Sequence, residues 1–562
     1  MKFSQMEYKR PDILDIKRQL SDLLEKFKAS RSAEDCKSVY SEIDKIISMV
    51  STMGSIAYIR HTLDTTNEFY ASEKDYFDMV DPQFKESVQE ILLAALESKH
   101  RPKLEKDWGS LMFLNAEISL RTFSPEIIPD LQAENKLVTE YSKLIASAQI
   151  EYDGKTLTLA QLAPYHQDDD RQIRKSSLEA RAKWFMGYAE ELDSIYSKLV
   201  EVRTRIARIL GYENFVELGY YRMQRNCYSK EMVAAFRESV KKSIVPLALR
   251  LKKEQANRIG TDKLSIIDDL YEFPDGNPRP KGSPEEIFAH GRKMYHELSE
   301  DTKEFIDFML ENELFDVLTR PGKSSGGYCT SIPDYKSPFI FANFNGTSDD
   351  IDVLTHEAGH AFYDYVNRDL FPTNLRECSY ETAETHSMSM EFFTWPWMEG
   401  FFGNDTAKYR YKHISGALTF IPYGTMVDEF QHYVYENPEI TPAQRNELWL
   451  KLESEYRPYL DLEGFPFFGE GRRWQAQLHI YEMPFYYIDY VLAQLMALSF
   501  WAADQKDHVQ AWGNYRRFVG FAGKKTFVDL VEDAGMKNPF KPETLPEVAD
   551  AALKWLDGSP GL

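Results

Sequence analysis

Residues 346–366 read GTSDDIDVLTHEAGHAFYDYV, and the way this stretch folds decides what the chain can be. Ile351, Leu354, Ala358, Ala361, Phe362 and Tyr365 recur at three- and four-residue spacing, which predicts an amphipathic helix with Ser and Asp capping chemistry at its start. On such a helix His356 and His360 stand one turn apart on one face, close enough for two ring nitrogens to share an ion. Glu357 then sits beside that ion. A hydrolytic zinc site takes three protein ligands and leaves one position for water, whose proton a nearby carboxylate can accept. HExxH supplies two ligands and that base.

A third ligand must come from elsewhere. An elongated zincin motif would need Gly at position 363 and His at 366, but those residues are Tyr363 and Val366. After a break at LFPTNLR the chain continues ECSYETAETHSMSMEFFTWPWM, in which Glu381, Glu384 and Glu391 lie 4, 7 and 14 residues after Glu377. On one continuous helix these four carboxylates share a face. Met388, Met390, Phe392, Phe393 and Trp395 mark the segment as buried, so the stripe is not simply a solvated surface. Spacing leaves all four glutamates open as the ligand, with His386 on a different face.

Working outward, FIFANFNG (339–346) alternates aromatic and small residues and predicts a short strand just before the motif. The stretches YEFPDGNPRPKGSPEE (271–286) and RPGKSSGGYCTSIPDYKSP (320–338) read as loops from their Pro and Gly content. Residues 11–149 carry helical periodicity in segments such as DILDIKRQLSDLLEKF, and Asp153-Gly154 in IEYDGKTLTLAQL predicts a type I′ hairpin turn. Helical periodicity resumes from Arg171. No internal repeat or low-complexity tail is present.

Bulk composition narrows the function. A chain of 562 residues with 43% hydrophobic content buries a large core. Its net charge of −22, from 89 acidic against 67 basic residues, disfavours nucleic acid and an anionic membrane surface as partners, since both require clustered cations. The four cysteines are widely spaced, without a CxxC pair, which predicts neither a disulfide framework nor a thiolate metal site and fits the cytoplasm. The first 20 residues lack the apolar core of a signal peptide, and YVLAQLMALSFWAA (490–503) is too short to span a bilayer. It is expected to be a core helix. Oligomeric state is not readable.

These residues together carry a resemblance. HEAGH, preceded by PFIFANFNGTSDDIDVLT and followed by AETHSMSMEF, resembles the thimet oligopeptidase and oligoendopeptidase F family of zinc metallopeptidases, particularly its bacterial oligoendopeptidase F-like or Pz-peptidase-like branch. LTFIPYGTMVDEFQHYVYENP and HIYEMPFYYIDYVLAQ are similar to the same branch. The resemblance implies a mainly α, bowl-like zincin fold with a deep channel and a small β-sheet beside the HExxH helix. It implies residues 1–200 as one helical wall and 201–562 as the catalytic region. It implies Glu384 as the third zinc ligand, within an E-x-x-S-x-x-x-E segment completed by Ser387 and Glu391, the latter orienting a histidine ligand. It further implies His479, Tyr487 and Tyr490 as oxyanion donors, with Tyr486 the alternative to Tyr487.

For substrate, Ala342 and Asn343 are expected to offer a strand edge to an extended peptide, and GGYC, with Gly327 and Tyr328, a flexible cleft wall. The function implied is cleavage of internal bonds in short unstructured oligopeptides with one zinc ion. The alternatives are a helical HExxH carboxypeptidase and a peptide-binding protein without turnover.

Overall fold

Asp12 begins the first long helix by accepting hydrogen bonds from the amides of Leu14 and Asp15, satisfying donors that the helix itself leaves free. This helix, α1 (Ile13–Lys28), buries Ile13, Ile16, Leu20, Leu23, Leu24 and Phe27 on one face. It packs with α2 (Ala33–Leu63), capped by Ser32, and α3 (Glu68–Glu97), capped by Asn67. Together they build a separate apolar cluster that reaches Leu375. The computed structural model describes residues 1–462, 464–521 and 523–559. Across them the fold is mainly α, as expected, with a two-stranded and a three-stranded sheet.

The small hairpin pairs β1 (Ile150–Tyr152) with β2 (Lys155–Leu157). Asp153 and Gly154 both take positive φ, 52° and 68°, as the expected I′ turn demands. The larger sheet has the order β3-β5-β4, with β3 (Phe315–Leu318) parallel and β4 (Tyr328–Ile332) antiparallel to β5 (Ser337–Phe344). Two expectations are corrected here. The stretch 320–338 is not loop throughout, because Tyr328, Thr330 and Ile332 alternate within it as a strand. And β5, which holds Ala342 and Asn343, is the central strand. Its near-continuous apolar run, covered on both faces, is the signature of an interior strand. The outer edge of β4 pairs with no strand among the described residues.

Four helices, of which the first lies on this sheet, position the site. They are α4 (Asp349–Asn367), α5 (Tyr380–Phe393), α6 (Thr406–Glu436) and α7 (Tyr487–Asp504). Helix α4 lies against β4 and β5, α5 crosses α4, and α7 packs along both α5 and α6. The start of α4 differs from the expected cap. Ser348 makes no side-chain cap bond; instead Asp350 accepts from the amides of Asn345 and Gly346 at 2.9 and 2.8 Å, fixing the turn that joins β5 to α4. The α7 segment is the buried core helix its apolar run predicts, and no helix of the described residues is long and apolar enough to cross a membrane.

Candidate active site

Gly359, between the two histidines, lets α4 and α5 touch. A Cβ there would fall 2.6 Å from Ser387 Cα and 2.8 Å from the His386 carbonyl oxygen, so only glycine allows this crossing. The close approach brings Glu384 under the histidines. Glu384 Oε2 lies 3.1 Å from His356 Nε2 and 3.4 Å from His360 Nε2. One ligand atom from each of His356, His360 and Glu384 falls within 4.8 Å of the others. Two imidazoles and one carboxylate are the donor set of a hydrolytic zinc site, so these residues fit the ion that the sequence suggests. The histidine side chains are partly exposed, 18% and 19%, while Glu384 is buried, so the group faces a cleft that solvent reaches.

Of the four carboxylates expected on one stripe, Glu377 is excluded from the helix, since α5 begins only at Tyr380 and Glu377 is extended. Glu381 is fully buried with neither oxygen hydrogen-bonded; burial, with nearby Asp489, pushes its pKa up to about 8. Glu384 alone among them meets both histidines. Ser387 Oγ donates to the Glu384 carbonyl at 2.9 Å and to its carboxylate at 3.1 Å, holding that rotamer. His386 is buried, stacked on Tyr363 at 4.6 Å, with both nitrogens unpartnered.

Glu357 sits on α4 with Oε2 buried and unpartnered, and burial pushes its pKa up against the opposing pull of His356 and His360. A group raised in this way accepts protons readily, the property a general base needs. Glu391 reaches two histidines. Its Oε1 lies 2.7 Å from His356 Nδ1 and its Oε2 2.7 Å from His413 Nε2. Trp395 in turn donates to His413 Nδ1 at 2.9 Å. His413, on α6, is absent from the sequence reading because no local pattern links it to Glu391, 22 residues earlier.

Across the cleft stand His479, Tyr486 and Tyr490. Tyr486 donates to Glu384 Oε1, and Tyr490 oxygen lies 3.3 Å from His479 Nε2. Tyr487 follows Tyr486 in the chain, with its ring centroid 5.1 Å from that of His479. Its ring packs against Phe420 and Tyr423, and its phenol has Tyr423 and Gln477 as neighbours. Of the two neighbouring tyrosines, Tyr486 is the one whose hydroxyl meets Glu384.

The substrate-side expectations are also rearranged. Asn343 donates to the Ser324 and Gly326 carbonyls at 2.9 and 2.8 Å, and the Ala342 carbonyl accepts from Lys323. Both residues brace the glycine-rich segment rather than offer an edge. Gly327 is exposed beside Glu357, where an added Cβ would lie 3.3 Å from Oε1. Tyr328 stacks on Phe341 at 4.7 Å and its hydroxyl meets Thr62 at 2.6 Å, so its ring packs against α2.

The pattern of Peptidase family M3 matches residues 165–548, and that of the Peptidase M3 N-terminal domain matches residues 3–123. The chain belongs to peptidase family M3. This M3 metallo-oligopeptidase is 48% identical to a solved Pz peptidase A bound to an inhibitor, over 99% of each chain with a TM-score of 0.98. It is 22% identical over 568 residues to the oligopeptidase PepF of Bacillus subtilis, covering 95% of this chain and 81% of that one. An oligoendopeptidase-F of Enterococcus faecium, 14% identical over 98% of each chain, shares the fold with a TM-score of 0.62. The M3 assignment agrees with the resemblance carried by HEAGH and its flanking segments.

Proposed function

We propose that this M3 peptidase is a zinc-dependent endopeptidase that cleaves internal bonds of short, unstructured oligopeptides. The convergence of His356, His360 and Glu384 beside the unpartnered Glu357 carboxylate carries this reading. Zinc bound by those three residues would supply Lewis-acid polarisation of the scissile carbonyl and of a water. Glu357 would accept the proton of a water held beside it and return it to the leaving amine. Tyr490, Tyr486 and His479 donate hydrogen bonds to the carbonyl oxygen as it gains charge, an interaction worth more in the transition state than in the ground state.

An extended peptide would lie along the unpaired edge of β4, held through its main chain without a demand on side-chain identity. A cavity of about 190 Å³ at the start of β4, lined by Tyr58, Thr62, Ser324, Tyr328, Leu478 and Glu482, would take one substrate side chain. The contact of Ser324 with Thr62, 2.9 Å between amide and carbonyl, supports the view that the helical region 1–200 walls a channel over the catalytic region 201–562. A channel of that kind would exclude folded proteins. The free thiols suit a cytoplasmic enzyme.

The test is digestion of a peptide blocked at both ends, with and without a chelator, read by mass spectrometry. Internal cleavage that the chelator abolishes and added zinc restores is the expected result. Loss of single C-terminal residues from an unblocked peptide only, or chelator-resistant cleavage, would refute the proposal.

A further inference from the structure

The two nitrogens of His479 face different partners. Nε2 is turned toward the cleft, 3.3 Å from the Tyr490 oxygen, and Nδ1 lies 3.3 Å from the amide nitrogen of Gln477. Desolvation pushes the imidazole pKa down to about 4 even though Glu384 pulls it upward. At neutral pH the ring is therefore neutral and owns a single N–H. Carried on Nε2, that proton can be donated to an oxygen in the cleft. Carried on Nδ1, it would leave a lone pair facing an oxygen that is gaining negative charge, which is repulsive.

Gln477 decides between these states. Its Oε1 stands at the Tyr423 hydroxyl, which donates to it at 2.8 Å, and its NH₂ stands at the imidazole. Tyr423 is itself fixed, with the Arg473 guanidinium 4.7 Å over its ring and Tyr487 packed edge-on at 6.0 Å. The Gln477 backbone is pinned as well, its amide donating to the Trp474 carbonyl at 3.1 Å and its carbonyl accepting from Ile480 at 3.1 Å. An NH₂ group only donates, so the ring nitrogen it meets carries no proton.

We infer that Gln477 is a positioning residue for peptide hydrolysis, holding His479 as the Nε2–H tautomer and aiming that N–H into the cleft through the chain Tyr423, Gln477, His479. The inference rests on the proposed role of His479 as an oxyanion donor. It also gives Tyr487 a place, beside the amide rather than at the reacting oxygen.

Gln477→Met keeps the length of the side chain and removes the amide. The expected result on the zinc-loaded enzyme is a fall in kcat of about tenfold with KM changed less than about twofold, the mark of an interaction made only in the transition state. Zinc content should stay at the wild-type value. In enzyme labelled with ¹⁵N-histidine, with the His479 signals assigned by their loss in His479→Phe, the wild type should show the Nε2–H pattern and Gln477→Met a mixture of tautomers. Gln477→Glu, which puts an acceptor where the donor stood, should convert the ring to a form protonated at Nδ1. A wild-type spectrum with the proton on Nδ1, or an unchanged spectrum and unchanged kcat in Gln477→Met, would overturn the inference. Wild-type kcat in His479→Phe would instead remove the oxyanion role of His479, and the catalytic role of Gln477 with it, while the spectra still report the tautomer.

Discussion

The carboxylate of Glu391 lies 2.7 Å from Nδ1 of His356, on the side of the ring away from the nitrogen that faces Glu384. A carboxylate can only accept, so Nδ1 carries the proton and Nε2 is left bare for an ion. Glu391→Gln should lower zinc affinity by about 10- to 100-fold, the usual cost of losing such a support. His413→Phe, which frees the other oxygen of Glu391, should weaken zinc by less. Competition against a chromogenic chelator measures both, and wild-type affinity in Glu391→Gln would remove this orienting role.

Glu357 makes no hydrogen bond through Oε2 and lies outside the ligand triad. Glu357→Gln keeps the shape and removes the base. Zinc content should be unchanged and kcat should fall by at least about 10²-fold, in line with the loss of general base catalysis. Metal analysis with initial rates on one peptide decides it, and turnover near the wild-type rate would exclude Glu357 as the base.

The adjacent tyrosines both lie near His479 but differ in their other contacts. Tyr486 donates to Glu384 whereas Tyr487 packs against Phe420 and Tyr423. Tyr490→Phe is expected to lower kcat by about 10²- to 10³-fold, as for other lost oxyanion donors. Tyr486→Phe should lower kcat more than Tyr487→Phe does, with KM little changed by either. The reverse order would return Tyr487 to the reacting oxygen.

Gly359→Ala puts a methyl group 2.6 Å from the Ser387 backbone, an atom with no freedom to rotate away. The helices α4 and α5 must then part, at a cost of about 1–3 kcal/mol by analogy with overpacked cores. The separation also pulls Glu384 from the histidines. Both the urea midpoint and the bound zinc should drop, and a fully zinc-loaded variant of wild-type stability would contradict the crossing described.

Acid stability has a separate origin at His166. It is 5% exposed, its Nε2 is unpartnered, and burial, reinforced by Arg181, pushes its pKa down to about 3. The unfolded chain therefore binds this proton in the window where the native protein does not, from about pH 6.5 downward. Stability falls as pH falls through that window, by roughly 3 kcal/mol from this group between pH 6.5 and 4 at about 1.4 kcal/mol per pH unit. His166→Asn should flatten the slope of urea stability against pH over that range. An unaltered slope would assign the acid sensitivity to other groups.

The sequence by itself determined the helix that carries HExxH, its paired histidines and adjacent glutamate, and the hairpin at Asp153-Gly154. Each rests on contacts between residues at most a few positions apart, so periodicity and turn chemistry write them directly into the chain. It also supplied four glutamates without a means of choosing among them. The family resemblance pointed to Glu384, and the tertiary structure shows how it meets the histidines: Gly359 lets two helices touch, while Glu377 lies outside the helix altogether. The interior place of β5, the packing of Tyr487 on Phe420 and Tyr423, and the contacts of His413 and Gln477 come from the tertiary structure. They depend on which segments pack together and at what angle, and that geometry comes from the whole core rather than from any local spacing.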